Sequence, residues 1–319
     1  MKSACIVLPT YNGEKFLHQQ LDSILSQHLP AEWQLYLVIS DDGSVDNTTK
    51  IIQKYLNSYP EMVEFISFQD KRIGPRRIFE KLGEYCQHLN PDLLLFSDQD
   101  DVWLPNKVNR VIELIGDSAS PTLYLGSAIT TDVELKPIGK IPKHDLKPSF
   151  PSILLSNQRA GMAMALNSSA QKEWLKNVPN EAAMHDWWIQ QLLLVKKARI
   201  VTDQDPFVYY RQHGGNVLGI PNSLRSKFAF LKNQGSQMFI LRSHQSAALL
   251  NVTNDDPIKR SANLVAKLLG KDFQSVICLI KILCNNAFFS NRIGIDKLIS
   301  RAMLVYSFIH YRFKGSVNK

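Results

Sequence analysis

The chain has 319 residues, 45% hydrophobic and 21% charged, with only 4 cysteines; these values exclude a disordered, collagen-like or disulfide-scaffold protein. The net charge of +8 is uneven: residues 1–220 hold 22 Lys+Arg against 25 Asp+Glu, and residues 221–319 hold 15 against 4. A near-neutral globular body therefore carries a basic tail.

The first hundred residues alternate between two periods. Ala4–Leu8 is a short apolar run, as for a strand buried on both faces, and after Asn12-Gly13 the residues Phe16, Leu17, Leu21, Ile24 and Leu25 mark a helix face. Leu35–Ile39 is a second strand, ending in Asp41-Asp42-Gly43-Ser44; Asp46 is placed to cap a helix carrying Ile51, Ile52, Tyr55 and Leu56. Val63–Phe68 is a third strand, Ile78 to Leu89 a third helical stripe, and Leu93–Phe96 a fourth strand. Such repeats need right-handed crossovers, so the expected fold is α/β, a mostly parallel Rossmann-like sheet flanked by helices. Thr122–Ile129 and Arg199–Thr202 are further strands, 181–195 a helix, and 137–151 a surface loop. Beyond Pro221 strand signals vanish, and 261–269, 273–284 and 296–311 read as amphipathic helices dotted with Lys and Arg. The expected division is a catalytic domain over 1–220 and a basic helical region over 221–319.

Cys5, Cys86, Cys278 and Cys284 form no Cys-x-x-Cys pair, and inert thiols suit a reducing cytoplasm. Ala4–Leu8 is too short for a signal peptide, and no run of about 18 apolar residues exists to span a bilayer. The expected location is cytoplasmic, with peripheral attachment to the inner face of the plasma membrane left open.

Acidic residues gather where strands end. Asp41 and Asp42 leave the second strand; Asp98, Asp100 and Asp101 leave the fourth. Ligands of open α/β sheets bind beyond these carboxyl ends. Alternation in an extended segment points Asp98 and Asp100 the same way, and carboxylates held close require a compensating cation or donors. Mg²⁺ or Mn²⁺ bridging them to substrate phosphates is the expected partner. Two such clusters in one alternating region favour a nucleotide-and-metal site over solvated acidic turns.

Pro9-Thr10-Tyr11-Asn12-Gly13, Asp41-Asp42-Gly43-Ser44-x-Asp46 and Asp98-Gln99-Asp100-Asp101-x-Trp103 resemble, in order, the signatures of family 2 glycosyltransferases, inverting nucleotide-sugar-dependent enzymes of GT-A-type fold. The likeness covers roughly residues 3–220. With His185-Asp186-Trp187-Trp188 and the run from Tyr210 to Asn216, it is nearest the rhamnosyltransferase-like branch. The resemblance implies that Pro9, Thr10, Tyr11, Asp41 and Asp42 bind the nucleotide-sugar, with Asp41 accepting from the base. It makes Asp100 the metal ligand and sets Asp98 toward the ribose or sugar. Asp186 falls at the general base, and Arg211 and His213 near the donor diphosphate. Where the branch commonly has Asn, this chain has Ile78, preceded by Arg76-Arg77; these arginines reach phosphate or begin a solvated helix. Trp187 and Trp188 are either an acceptor platform or core, and His185 is a structural hydrogen-bonder or a catalyst.

The implied activity is transfer of a UDP- or dTDP-linked sugar to a glycan or lipid-linked oligosaccharide acceptor in bacterial surface polysaccharide synthesis, such as O-antigen. Asp186 would deprotonate the acceptor hydroxyl while a divalent ion offsets charge on the departing diphosphate. Three uses of the basic helices stay open: an anionic bilayer, packing on the body, or a homo-oligomer. No nucleic-acid-binding signature accompanies the charge. The rivals are a sugar nucleotidyltransferase, which usually opens on a glycine-rich phosphate loop absent here, and a non-catalytic membrane-surface protein of the same fold, against which the intact carboxylates argue.

Overall fold

In β1 (Lys2–Thr10) the side chains of Ala4, Ile6 and Leu8 enter one hydrophobic cluster, and those of Cys5 and Val7 another. The period-2 alternation of a buried strand thus divides the core into two layers, one on each face of the sheet. The computed structural model describes residues 1–68, 72–138, 148–180, 184–214, 238–270, 272–290 and 294–314.

The remaining strands are β2 (Trp33–Asp41), β3 (Val63–Phe65), β4 (Leu93–Phe96), β5 (Val102–Trp103), β6 (Thr122–Thr131), β7 (Met164–Asn167) and β8 (Arg199–Arg211). They form one eight-stranded sheet in the order β3-β2-β1-β4-β7-β6-β8-β5. From β3 through β4 the pairing is parallel throughout, as the crossover argument requires. Beyond β4 the sheet is mixed: β7 runs antiparallel to β4 and β6, β6 and β8 are parallel, and β5 opposes β8.

Helices α1 (Leu17–Leu25), α2 (Thr48–Ser58) and α4 (Lys107–Ile115) cover the face lined by Ile6 and Leu8. Helices α3 (Pro75–Cys86), α5 (Ser168–Lys176) and α6 (His185–Val195) cover the other. The N-cap of α2 is Asn47, which makes no side-chain capping bond; Asp46, expected to cap, lies one residue earlier and accepts from the Thr48 amide. The α6 sequence HDWWIQQLLLV is apolar on nearly every side, and ten of its eleven residues are buried, as expected for a helix enclosed by other elements.

After residue 237 come α7 (residues 238–249), α8 (Asp256–Ala266), α9 (Phe273–Cys284) and α10 (Gly294–Lys314). Phe239, Leu249, Val265, Ile282, Phe288 and Phe308 of this region join the same cluster as Phe79, Phe96 and Trp188. The basic helices therefore pack on the body through a continuous apolar core. The expected boundary at 220/221 lies outside the described residues.

Two short strands, β5 and β7, and helices α4, α5 and α7 go beyond the sequence expectations. Cys5, Cys86 and Cys278 are buried, whereas Cys284 is exposed.

Candidate active site

Three stations line the end of the sheet where β1, β2 and β4 finish. The first joins β1 to β2. The register pairs Pro9 with Ser40 and Thr10 with Asp41, and the Thr10 hydroxyl donates to Asp41 Oδ1 at 2.7 Å. The Asp41 carboxylate also accepts from the amides of Gly43 and Ser44 and from the Ser44 hydroxyl. Gly43, at φ 87°, provides the left-handed residue this tight turn requires. Asp42 is buried and accepts from the amides of Ile73 and Gly74 at 2.7 and 2.9 Å. It thereby tethers the segment entering α3 to the end of β2.

Tyr11 is fixed through its backbone. Gln99 accepts from the Tyr11 amide at 2.9 Å and donates to its carbonyl at 3.0 Å. A Cβ at residue 13 would lie 2.3 Å from Gln99 Oε1, so Gly13 is what allows Gln99 to reach across. The ring of Tyr11 carries the Arg72 guanidinium 3.7 Å from its centroid, and Arg72 lies 3.8 Å from Asp42. Sequence reasoning passed over Arg72 in favour of Arg76 and Arg77. Those two pair instead with the buried Glu80, and Ile78 is buried in the core.

The second station is the 98–101 turn between β4 and β5. Partial enclosure, the neighbouring Asp100 and then Asp186 push the Asp98 carboxyl up to about 7, opposed by Lys107. Asp101 is fully buried and is likewise pushed well above the ordinary range, by burial first and then by Asp98 and Asp100. Its Oδ1 accepts from the Arg211 amide, and its Oδ2 has no hydrogen-bond partner. Asp100 faces His213, Nε2 to Oδ2 at 2.8 Å. The Asp98-x-Asp100 expectation thus becomes a knot of three carboxylates whose mutual repulsion is not fully compensated within the chain.

Arg211 ends β8 at 2% exposure. Its guanidinium donates to the Asp100 carbonyl, the Val133 carbonyl and Gln19, and lies 4.4 Å from the Phe16 ring centroid. It braces the turn from behind, while His213 is the basic side chain hydrogen-bonded to Asp100. Gly215 and Asn216 of the same motif lie outside the described residues.

The third station is Asp186 in the first turn of α6. It is 4% exposed; Oδ2 accepts from Asn157 Nδ2 at 2.8 Å and the Gly161 amide at 3.0 Å, and Oδ1 from the Trp187 amide at 2.7 Å. Burial pushes this carboxyl up to about 6, only partly offset by those bonds. Asp98 feels the charge of both Asp100 and Asp186, so the second and third stations are neighbours. Asn157 and Gly161 carried no sequence signal; they come from the irregular stretch before β7.

Trp187 and Trp188 are not an acceptor platform in this structure. They are 2% and 1% exposed, and their indole N–H groups donate to the Ile153 and Asn177 carbonyls. A helix enclosed on all sides leaves them no route to solvent. His185 stacks on Phe79 at 3.8 Å, and burial pushes it down to about 3, so it is neutral. Lys107, unremarked in the sequence, is buried; its Nζ donates to the Met162 carbonyl at 2.6 Å and lies 3.2 Å from the Trp103 ring centroid.

Among the described residues, no group of three or more His, Cys, Asp or Glu side chains is arranged to hold a metal ion by itself. Asp100 and His213 could supply two ligands, leaving the remainder to a substrate. No helix among those residues is long and apolar enough to cross a membrane.

Comparison with known proteins bears on family and fold. The family model described as "Glycosyl transferase family 2" matches residues 5–165. The dTDP-rhamnosyl transferase RfbG of Shigella flexneri is 28% identical over 231 residues, covering 69% of this chain and 76% of that protein. In fold, the chain is similar to Staphylococcus aureus TarS 1–349, solved with UDP-GlcNAc, at a TM-score of 0.62 and 15% identity, covering 98% of this chain and 90% of that one. It is also similar to the mannosyltransferase PcManGT of Pyrobaculum calidifontis, solved with GDP-Man and Mn²⁺, at a TM-score of 0.56 and 13% identity, covering 98% and 87%. The GT-A-type α/β fold expected from the sequence is the fold of these structures.

Proposed function

Because the chain belongs to glycosyl transferase family 2, and is a glycosyltransferase, we propose that it moves a sugar from a nucleoside-diphosphate donor to a glycan hydroxyl with inversion at the anomeric carbon. The likeness to a dTDP-rhamnosyl transferase favours a dTDP-linked deoxysugar, with a UDP-linked hexose as the alternative. The acceptor is a growing, lipid-linked bacterial surface polysaccharide at the cytoplasmic face of the membrane. The observation that supports this reading is the nearness of Asp186, raised to about 6, to the Asp98–Asp101 turn. The turn suits a diphosphate and its counter-ion; Asp186 suits a base.

Thr10, Tyr11, Asp41 and Arg72 hold the nucleotide. Asp98 orients the ribose or the transferred sugar. Asp100 and His213 would hold a divalent cation, Mn²⁺ or Mg²⁺. The donor set fits such an ion, because oxygen and imidazole ligands sit among carboxylates in negative excess and Asp101 Oδ2 is an orphaned buried oxygen. When bound, the ion supplies charge neutralisation for the leaving diphosphate. Asp186 accepts the proton of the acceptor hydroxyl. A carboxyl titrating near 6 is ionised at neutral pH yet more basic than a solvated aspartate, which suits a general base.

The test is a panel of dTDP-, UDP- and GDP-sugars assayed for Mn²⁺-dependent release of the nucleoside diphosphate, with Asp100→Asn as control. Metal-dependent release from one donor class, lost in Asp100→Asn, is the expected result. Release of pyrophosphate from a nucleoside triphosphate and sugar phosphate would instead identify a nucleotidyltransferase.

A further inference from the structure

Of nine exposed large hydrophobic side chains among the described residues, five lie on α9 and α10: Phe273 at 75%, Ile280 at 53%, Leu298 at 66%, Tyr306 at 37% and Ile309 at 49%. The other four are scattered singly along the chain, as is ordinary for a surface. The five are not scattered. On α9, Phe273, Ile277, Ile280 and Cys284 fall at i, i+4, i+7 and i+11; on α10, Leu298, Ala302, Val305 and Ile309 repeat the same spacing. Each set is one helical stripe, and each lies opposite the stripe its helix buries, Ser275/Cys278/Leu279/Ile282 on α9 and Leu304/Ser307/Phe308 on α10. Both helices are thus apolar on two sides, with only one side used by the core.

The two helices lie beside one another and antiparallel. Arg301, early in α10, donates to Asn286 just beyond α9, whereas Arg312, late in α10, donates to the Ser275 hydroxyl and the Asp272 carbonyl at the start of α9. The exposed Lys281 follows Ile280 directly, and Lys297 precedes Leu298. From residue 257 to 319 the chain holds 11 Lys+Arg against 2 Asp+Glu. This excess disfavours packing against a second copy bearing the same charge and favours an anionic surface.

We propose that the outward stripes of α9 and α10 are a docking face for an anionic lipid bilayer. Phe273, Ile280, Leu298 and Ile309 enter the headgroup–acyl boundary, and the flanking lysines pair with lipid phosphates. Helices of this kind lie in the plane of the interface, and their attachment combines apolar burial with attraction to anionic lipid.

The docking layer is tied to α6 through α7, whose Phe239 packs edge-on against Phe308 of α10. Ser290, in the turn after α9, hydrogen-bonds Ser149, and Gln245 of α7 donates to Gln191 of α6. Asp186 sits on that same α6. A chain settled on the bilayer through α9 and α10 holds its general base at a set height above the lipid, where a lipid-linked hydroxyl is presented. The surface itself stands on exposure and charge, independently of the acceptor proposed above.

The experiment is flotation of the full chain with vesicles rich in phosphatidylglycerol, against vesicles of phosphatidylcholine alone. The wild type is expected to float with the former only and to be released by raised salt. Replacing Phe273, Ile280, Leu298 and Ile309 by Ser, all solvent-exposed and outside the candidate active site, should weaken binding about tenfold or more. Lys281→Glu with Lys297→Glu should remove the preference for anionic lipid. Metal-dependent donor hydrolysis in the absence of vesicles should be unchanged in both variants, which keeps this result separate from the proposed chemistry. Failure to float, or flotation that survives the serine variant, overturns the proposal. A dimer in light scattering that the serine variant dissolves would assign the stripes to a second copy instead.

Discussion

Lys107 Nζ donates to the Met162 carbonyl at 2.6 Å, and this bond ties α4 to the turn before β7. The turn Gly161–Ala163 that it holds also presents the Gly161 amide to Asp186. From its other side Lys107 feels the charge of Asp101 and then Asp98, although burial drives it well below the ordinary lysine range. Met in place of Lys107 fills similar volume without the donor. The turn should loosen, and kcat should fall on the order of 10²-fold, as when a reacting group is misplaced by about an ångström. The KM for donor should be unchanged. Loss of the Gly161 bond, which lowers the Asp186 carboxyl, should also move the acid limb of the pH profile upward. A merely structural lysine would leave that limb in place.

Asp186→Asn should reduce transfer by about 10²–10⁴-fold, the usual range for a positioned base, while donor binding by calorimetry persists. In the wild type, activity should fall as pH drops through about 6, where Asp186 becomes protonated.

The same substitution should remove a pH dependence of stability. The native Asp186 carboxyl is raised from 3.8 to about 6, so its ionisation favours the unfolded chain. That penalty is absent below the unfolded value, grows across the window between the two values, and is complete above the native one. Asn removes it, so the stability of the variant relative to the wild type should rise by up to about 3 kcal/mol between low pH and pH 8, on top of a pH-independent cost for the N–H donors its amide nitrogen cannot accept from. Thermal unfolding of both proteins at the two pH values tests the sign.

A Cβ on residue 161 would lie 2.7 Å from His185 Nε2. Gly161→Ala should therefore destabilise by about 1–3 kcal/mol, the range for overpacking a filled site. Combination with His185→Ala should be markedly less than additive, because the second change removes the atom the first collides with. Denaturant titration of the double-mutant cycle measures the coupling.

Chelation should abolish donor hydrolysis, and His213→Ala should demand a higher Mn²⁺ concentration for half-maximal rate than the wild type. Asp100→Asn should respond little at any concentration, since it removes the anionic ligand rather than the neutral one. Titration of the rate against Mn²⁺ distinguishes the two.

Local pattern determined much of this protein. Continuous apolar runs placed β1, β2 and β4, because strands buried on both faces tolerate little else, and helical spacing placed α9 at its observed bounds. The residues after those strands had to bear the polar chemistry, so Asp41, Asp98 and Asp100 were legible as a group. What no local window contains is pairing between distant segments. Short β7 inserts antiparallel between β4 and β6, and that choice depends on which edge the folded sheet leaves open. Lys107 resembles any surface lysine until packing seals it beneath Met162 and Trp103. Trp187 and Trp188 likewise suited a sugar platform or a core until the layers over α6 closed. Burial is a property of the assembled layers, and burial is what raises the Asp186 carboxyl to about 6.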